Sequence, residues 1–196
     1  QILLSFRYFN YQATERQITI LTNLLENEMG KVLWNLAALT EIPKEDRFNF
    51  LREAIKEEID VNYDTVYMFM SILYDPQSVQ LVRENIESNT SEGTAFAIEL
   101  CDLFVAQELK PKLFPLIDDI PVNEKIIQLQ GFFPRENYNL IQVLNYLLNK
   151  NYNQVNRWTK ACTIHCLAFV EEFSASRGLI AQLFNNDILL QEVSAW

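Results

Sequence analysis

Cys162, His165 and Cys166 are the one group in this chain whose residue types and spacing offer ligand chemistry. On a helix they stand at i, i+3 and i+4, so two thiolates and an imidazole share one face, a partial set for a zinc ion. A structural zinc takes a fourth ligand and is usually held by a rigid loop knuckle rather than an apolar helix face. The three also coincide with the apolar stripe that Ala161 and Leu167 continue, where small cysteines and a tucked-in histidine pack as core. Core packing is the expectation, and no metal is assigned. The carboxylates form a second group, at Glu57, Glu58, Asp60 and Asp64 and again at Asp118 and Asp119. Paired acids do acid–base work when burial separates their pKa values, and they gather hard cations such as calcium. The alternating pattern of a calcium loop is missing, so these positions read as solvated helix ends and caps. The single histidine lies within an apolar helical pattern, which leaves no Ser/His/Asp set, and four isolated glycines make no phosphate loop. No catalytic, cofactor-binding or metal-binding residue is assigned, and the chain reads as non-enzymatic.

Aromatic residues are the stronger functional lead. Phe132, Phe133, Tyr138, Tyr146 and Tyr152 crowd one region, and aromatics are enriched in protein interfaces. The competing reading is that they fill an irregular gap between helices.

The elements that position these groups are helices. Residues 94–119 read as a complete helix–turn–helix unit. Phe96, Ala97, Leu100, Cys101 and Phe104 recur at three- and four-residue spacing, and Ile98, Leu103 and Val105 widen that face, which predicts burial on more than one side. Pro111 suits the first turn of the next helix, and Pro115 one turn later predicts a kink or a short, strained start. Similar units can be laid over two other stretches. One carries Val66, Phe69, Met70 and Leu73, a turn at Asp75-Pro76, then Val79, Val82 and Ile86. The other carries Ala161, Cys162, His165 and Leu167, a turn at Glu171-Glu172, then Leu179, Ile180, Leu183 and Phe184. The clearest repeats are 64–88, 92–119 and 156–186, with a divergent stretch over 121–155. Self-similarity of this kind predicts an all-α chain, an α-solenoid of roughly four to five antiparallel helix pairs spanning 1–196 as one domain.

Before the first repeat, Ile18, Leu21, Leu25, Val32, Leu36 and Leu39 predict a long amphipathic helix over 14–42, or two helices broken near Gly30. Pro43 is expected to open the next helix, with Glu45 and Asp46 against its N-terminal dipole. Asn62–Asp64 then breaks that helix, and Asp64 caps the next. Later, 122–129 and 140–149 read as short helices, 149–156 as a loop, and 187–196 as a closing helix. The first ten residues read as a severed helix end.

The stretches SILYDP (71–76), AIELCD (97–102), LFPLIDD (113–119) and RWTKACTIHCLA (157–168) resemble the HEAT-repeat family, over roughly residues 40–185. More narrowly, they resemble a bacterial subgroup in which such repeats form the C-terminal cytosolic part of larger proteins. The N-terminal part there is similar to a nucleotide-translocase-like or major-facilitator-like membrane domain, sometimes with a cyclic-nucleotide-binding-like domain. The resemblance implies a right-handed superhelix and no catalytic motif. It also implies a membrane link through a preceding domain, and so a place on the cytosolic face of the inner membrane.

Composition narrows the function further. Nearly half the residues are apolar, with thirteen Phe, eight Tyr and three Trp, which suffices for a substantial core at 196 residues. A formal charge of −10 excludes a nucleic-acid role built on phosphate neutralisation, and it disfavours adsorption to an anionic membrane. The apolar runs are far shorter than the ~20 residues that span a bilayer. Gln1 is not an initiator, so the chain reads as part of a longer or processed one, without a signal peptide. Three cysteines without framework spacing suit a reducing, cytoplasmic compartment. The expected function is a non-catalytic protein-interaction or regulatory scaffold whose acidic character favours a basic partner. The alternative is a small-ligand sensor or an enzyme using a pocket between helix pairs.

Overall fold

The computed structural model describes Ser5 and residues 11–151, 154–170 and 177–196. The chain is all-α, with ten α-helices and no strand among the described residues. In order these are α1 (Glu15–Glu41), α2 (Asn49–Leu73), α3 (Pro76–Glu87), α4 (Ser91–Phe104), α5 (Lys110–Ile117), α6 (Val122–Leu129), α7 (Leu140–Asn149), α8 (Arg157–Leu167), α9 (Arg177–Gln182) and α10 (Ile188–Ala195). Two compact units divide the chain. The first comprises Gln1–Trp34 with Asp60–Arg135, the second Asn35–Ile59 with Glu136–Trp196. The aromatic stretch at the start of the chain, the turn at Glu171-Glu172 and Tyr152 lie outside the described residues.

In the first unit, α1 begins where the Gln17 side chain accepts hydrogen bonds from the Thr14 N–H (3.0 Å) and hydroxyl (2.8 Å), half of a capping box. Leu25, Met29, Val32 and Leu33 are fully buried at helical spacing. The helix runs straight through Gly30. A Cβ there would meet the Phe133 ring at 3.3 Å, so the glycine admits an aromatic ring and breaks nothing.

The expected break at Asn62–Asp64 does not occur, because α2 is continuous from Asn49 to Leu73. Its buried stripe runs from Ile59 through position 62 to Val66, Phe69 and Met70. Asn62 occupies a buried position in that stripe, and its amide donates to Glu28 Oε2 at 3.2 Å. Nor does Pro43 open this helix. A 3-10 turn at Asp46–Phe48 winds the Phe48 side chain into the core of the second unit before α2 starts at Asn49.

The turn at Asp75-Pro76 forms as expected. Asp75 caps α3 by accepting from the Ser78 N–H at 2.7 Å, and Pro76 takes the first helical position. Three residues join α3 to α4, with Asn89 in the left-handed region at φ 52°, a conformation asparagine tolerates. The two helices pack together, and at Gly93 the fit is close: a Cβ there would lie 2.6 Å from the Asn85 carbonyl oxygen. The expected all-round burial of α4 fails for this reason. Its buried seam is the narrow run Gly93, Thr94, Ala97 and Cys101, while Phe96 is 51% and Leu103 82% exposed. Small residues bring a neighbour close along one line and leave the bulky ones outside it. Pro115 sits inside α5, which is only eight residues long.

In the second unit, Asn139 and Gln142 form a capping box at the start of α7. Asn156 caps α8 through the Thr159 N–H at 2.8 Å. The Arg52 guanidinium donates to the carbonyls of Leu39 and Ile42 and satisfies the C-terminal end of α1. The principal neighbours of α8 are α7 and α10 rather than α9. The α9 segment buries none of its residues, and Phe184 beyond it is 81% exposed, so the stretch expected to pair with α8 presents little core. The closing helix forms over Ile188–Ala195, capped by Asp187 and anchored by buried Leu190.

Candidate functional site: an acidic cleft in the first unit

Asp60, Tyr63, Asp64 and Tyr67 stand at i, i+3, i+4 and i+7 on α2, so they share one face. That face forms a wall of a cleft of about 630 Å³. Glu87 at the end of α3 and Asp118 and Asp119 at the end of α5 complete it. The two carboxylate clusters recognised separately in the sequence thus meet in one concavity, where five carboxylates face two cations.

Both cations are already engaged. Arg83 pairs with Asp64 at 2.7 Å and Glu87 at 2.5 Å, and its guanidinium lies 5.7 Å from the centre of the Tyr67 ring. The Glu87 hydrogen bond is the main reason its pKa is raised. Lys125 donates to the carbonyls of Leu116 (2.7 Å) and Asp118 (2.6 Å) at the open end of α5. Burial lowers its pKa, against the opposing pull of Asp118 and Asp119. Among the described residues, Asp60, Asp118 and Asp119 make no ion pair with any cation.

The floor carries hydroxyls. Tyr63 donates to the Leu116 carbonyl at 2.9 Å. Tyr67 and Thr94 are each 7% exposed, line the cleft, and make no side-chain hydrogen bond among the described residues. Burial raises the pKa of both tyrosines, with Asp60 adding to the effect at Tyr63, so their hydroxyls are neutral at ordinary pH. Carboxylates at the rim and hydroxyls beneath, open to the cleft, suit a bound ammonium or guanidinium group, since both can accept from its N–H groups.

The remaining acids of the first cluster are placed otherwise. Glu57 and Glu58 lie in mid-helix rather than at a helix end, which corrects the expectation of solvated caps. Glu57 is exposed, but Glu58 is buried in the second unit, where it accepts from the Asn156 N–H at 2.7 Å and the Thr159 hydroxyl at 2.9 Å. The sequence carries no local sign of this, since the partners lie about a hundred residues on.

The thiol and imidazole group is divided. Cys162 and His165 line an apolar pocket of about 460 Å³ in the second unit, with Phe50, Trp158, Glu192 and Trp196. Cys166 is 1% exposed, 3.9 Å from the Arg47 carbonyl, and does not line that pocket. Burial pushes the Cys162 thiol up to about 11, with Glu57 adding to the shift, and the Cys166 thiol up to about 12. The His165 ring stacks on Trp196 (centroids 5.6 Å apart) and meets Phe169 edge-on (5.1 Å). Among the described residues no three His, Cys, Asp or Glu side chains are arranged to hold a metal ion.

The aromatic cluster belongs to both units. Phe132 and Phe133 lie in the first, the latter against Gly30. Tyr138 and Tyr146 lie in the second, with ring centres 5.5 Å apart and Lys150 Nζ 4.5 Å from the Tyr146 centre. No helix among the described residues is long and apolar enough to cross a membrane.

Compared with known proteins, the chain has no significant match: no family model, curated protein or solved structure aligns with it.

Proposed function

We propose that this chain is a non-catalytic, HEAT-like helical module that binds a basic segment of a protein partner through the acidic cleft of its first unit. The observation that carries the reading is the convergence of Asp60, Asp118 and Asp119, none of them in an ion pair among the described residues, above the hydroxyls of Tyr67 and Thr94. A lysine or arginine side chain would give those carboxylates an opposite charge and the hydroxyls a donor. The net charge of −10 would speed its approach. Short connections between packed helices, as between α3 and α4, support the repeat reading. A cytosolic position beside a transporter-like membrane domain is part of the same proposal and rests on the family resemblance.

The test is calorimetric titration of the full chain with a lysine- and arginine-rich peptide and with a glutamate-rich control of equal length. Binding of the basic peptide alone is expected, weakening as salt rises. The combined variant Asp60→Asn, Asp118→Asn, Asp119→Asn should bind about tenfold or more weakly, since each lost ion contact contributes on the order of 1 kcal/mol. Equal binding by the variant, or no binding by the parent, overturns the cleft as the recognition site.

A further inference from the structure

We propose that the apolar pocket of the second unit binds a quaternary ammonium group. Three large aromatic side chains open onto it: Phe50 from α2 (65% exposed), Trp158 from α8 (46%) and Trp196 after α10 (85%). A single exposed aromatic needs no explanation, but three around one concavity of about 460 Å³ do. Trp196 is positioned by its stack on His165. Indole and phenyl faces attract cations through their quadrupoles, indole most strongly.

The charge around the pocket has the matching sign. Glu192 lines it, and Glu57 acts electrostatically on Cys162 in its wall. Neither carboxylate has an ion-pair partner among the described residues, and no lysine or arginine lines the pocket. Arg157, next in sequence to Trp158, is paired with Asp187 at 3.1 Å.

The walls decide which cation fits. Beyond the Glu192 carboxylate their polar side-chain groups are the Cys162 thiol, the His165 ring and the indole N–H groups of Trp158 and Trp196, which donate and do not accept. A primary ammonium or guanidinium entering here would lose several of water's hydrogen bonds and find the Glu192 carboxylate as its one strong acceptor. A trimethylammonium group has no N–H to satisfy and presents methyl groups to the rings. The pocket therefore differs in kind from the acidic cleft, which has oxygen acceptors for N–H donors, and it stands or falls separately from that reading.

The experiment titrates the full chain with choline and with its neutral isostere 3,3-dimethylbutan-1-ol, followed by indole fluorescence and calorimetry. The same chain is titrated with a trimethyllysine peptide and its unmethylated counterpart. Choline is expected to bind about tenfold more tightly than the isostere, with Glu192→Gln and Trp158→Leu each removing most of that preference. A trimethyllysine peptide binding more tightly than choline would place the group on a protein, and the reverse order would make it a free metabolite. Should Trp158→Leu fail to fold, Glu192→Gln at the exposed rim carries the test. Equal binding of the isostere, no binding of any methylated ammonium, or an unchanged preference in Glu192→Gln overturns the inference.

Discussion

The Glu58 carboxylate accepts a hydrogen bond from the Thr159 hydroxyl at 2.9 Å, both residues buried and 101 positions apart in the chain. The same oxygen accepts from the Asn156 N–H at 2.7 Å. An acid on α2 thus closes the N-terminus of α8, where backbone donors lack partners and the helix dipole favours negative charge. Glu58→Ala should destabilise the chain by about 2 kcal/mol, because two hydrogen bonds to the carboxylate are lost, the Asn156 N–H loses its acceptor and the buried Thr159 hydroxyl keeps only the longer contact to Asn156 Oδ1 at 3.2 Å. Glu58→Gln keeps an acceptor oxygen and should cost about 1 kcal/mol. Urea unfolding measures both, and a Glu58→Ala midpoint equal to that of the parent would sink the account.

Two helical glycines should respond oppositely to alanine. At Gly93 a Cβ would lie 2.6 Å from the Asn85 carbonyl oxygen and 2.4 Å from Ser88 Oγ, and the carbonyl belongs to a packed helix backbone that cannot swing aside. Overpacking of about 1–3 kcal/mol then outweighs the ~1 kcal/mol that alanine gains over glycine in a helix. At Gly30 the contact is the Phe133 ring at 3.3 Å, the end of a half-buried side chain that can yield. Gly30→Ala should be neutral or stabilising by up to ~1 kcal/mol. Thermal melts that rank the two variants the other way would refute this.

Local periodicity made the helices legible. Val122–Leu129 and Leu140–Asn149 fall where the apolar spacing placed them, and the Asp75-Pro76 turn carries its own capping chemistry. The errors arose where tertiary contacts override local signals. Asn62 reads as a breaker but sits buried in the helix with a hydrogen bond to Glu28, and the bulky face of α4 reads as core although small residues form its seam. For the cleft, the sequence gives the Asp60-Tyr63-Asp64-Tyr67 spacing but not its meeting with Asp118 and Asp119, which depends on how α5 docks. Arg83, Lys125 and Thr94 carry no local mark of their role there.

Lys160 is buried at 3% exposure, and its Nζ donates to the carbonyls of Leu148 (3.1 Å) and Lys150 at the C-terminal end of α7. A cation there satisfies carbonyls that the helix leaves open and opposes the negative end of its dipole. Lys160→Met preserves much of the stem's packing but strands those acceptors, so a loss of about 1–3 kcal/mol is expected. Hydrogen exchange should show faster opening of α7 and α8 amides than of α3. Uniform protection across α7 in the variant would argue against a capping role.

The buried thiols predict sensitivity to alkali. Burial pushes Cys101 and Cys166 up to about 12 and Cys162 up to about 11, from an ordinary 9.0. A folded-state pKa above the unfolded one means that the native chain holds its protons longer. The stabilising contribution is complete below pH ~9 and is lost as pH rises through the folded values, at on the order of 1 kcal/mol per pH unit for each thiol. Lys125 and Lys160, whose pKa values burial lowers, act in the opposite sense over the part of the range below the ordinary lysine value. The decisive comparison is therefore between the parent and Cys101→Ala, since Cys101 is fully buried and its shift comes from burial alone. Urea midpoints from pH 8 to 11 should fall less steeply in the variant than in the parent. Native thiols should also react with an aromatic disulfide at pH 8 only as fast as the chain opens, because little thiolate forms while they stay buried. Parallel pH slopes together with rapid native labelling would place Cys101 in a solvated site and remove burial as the cause.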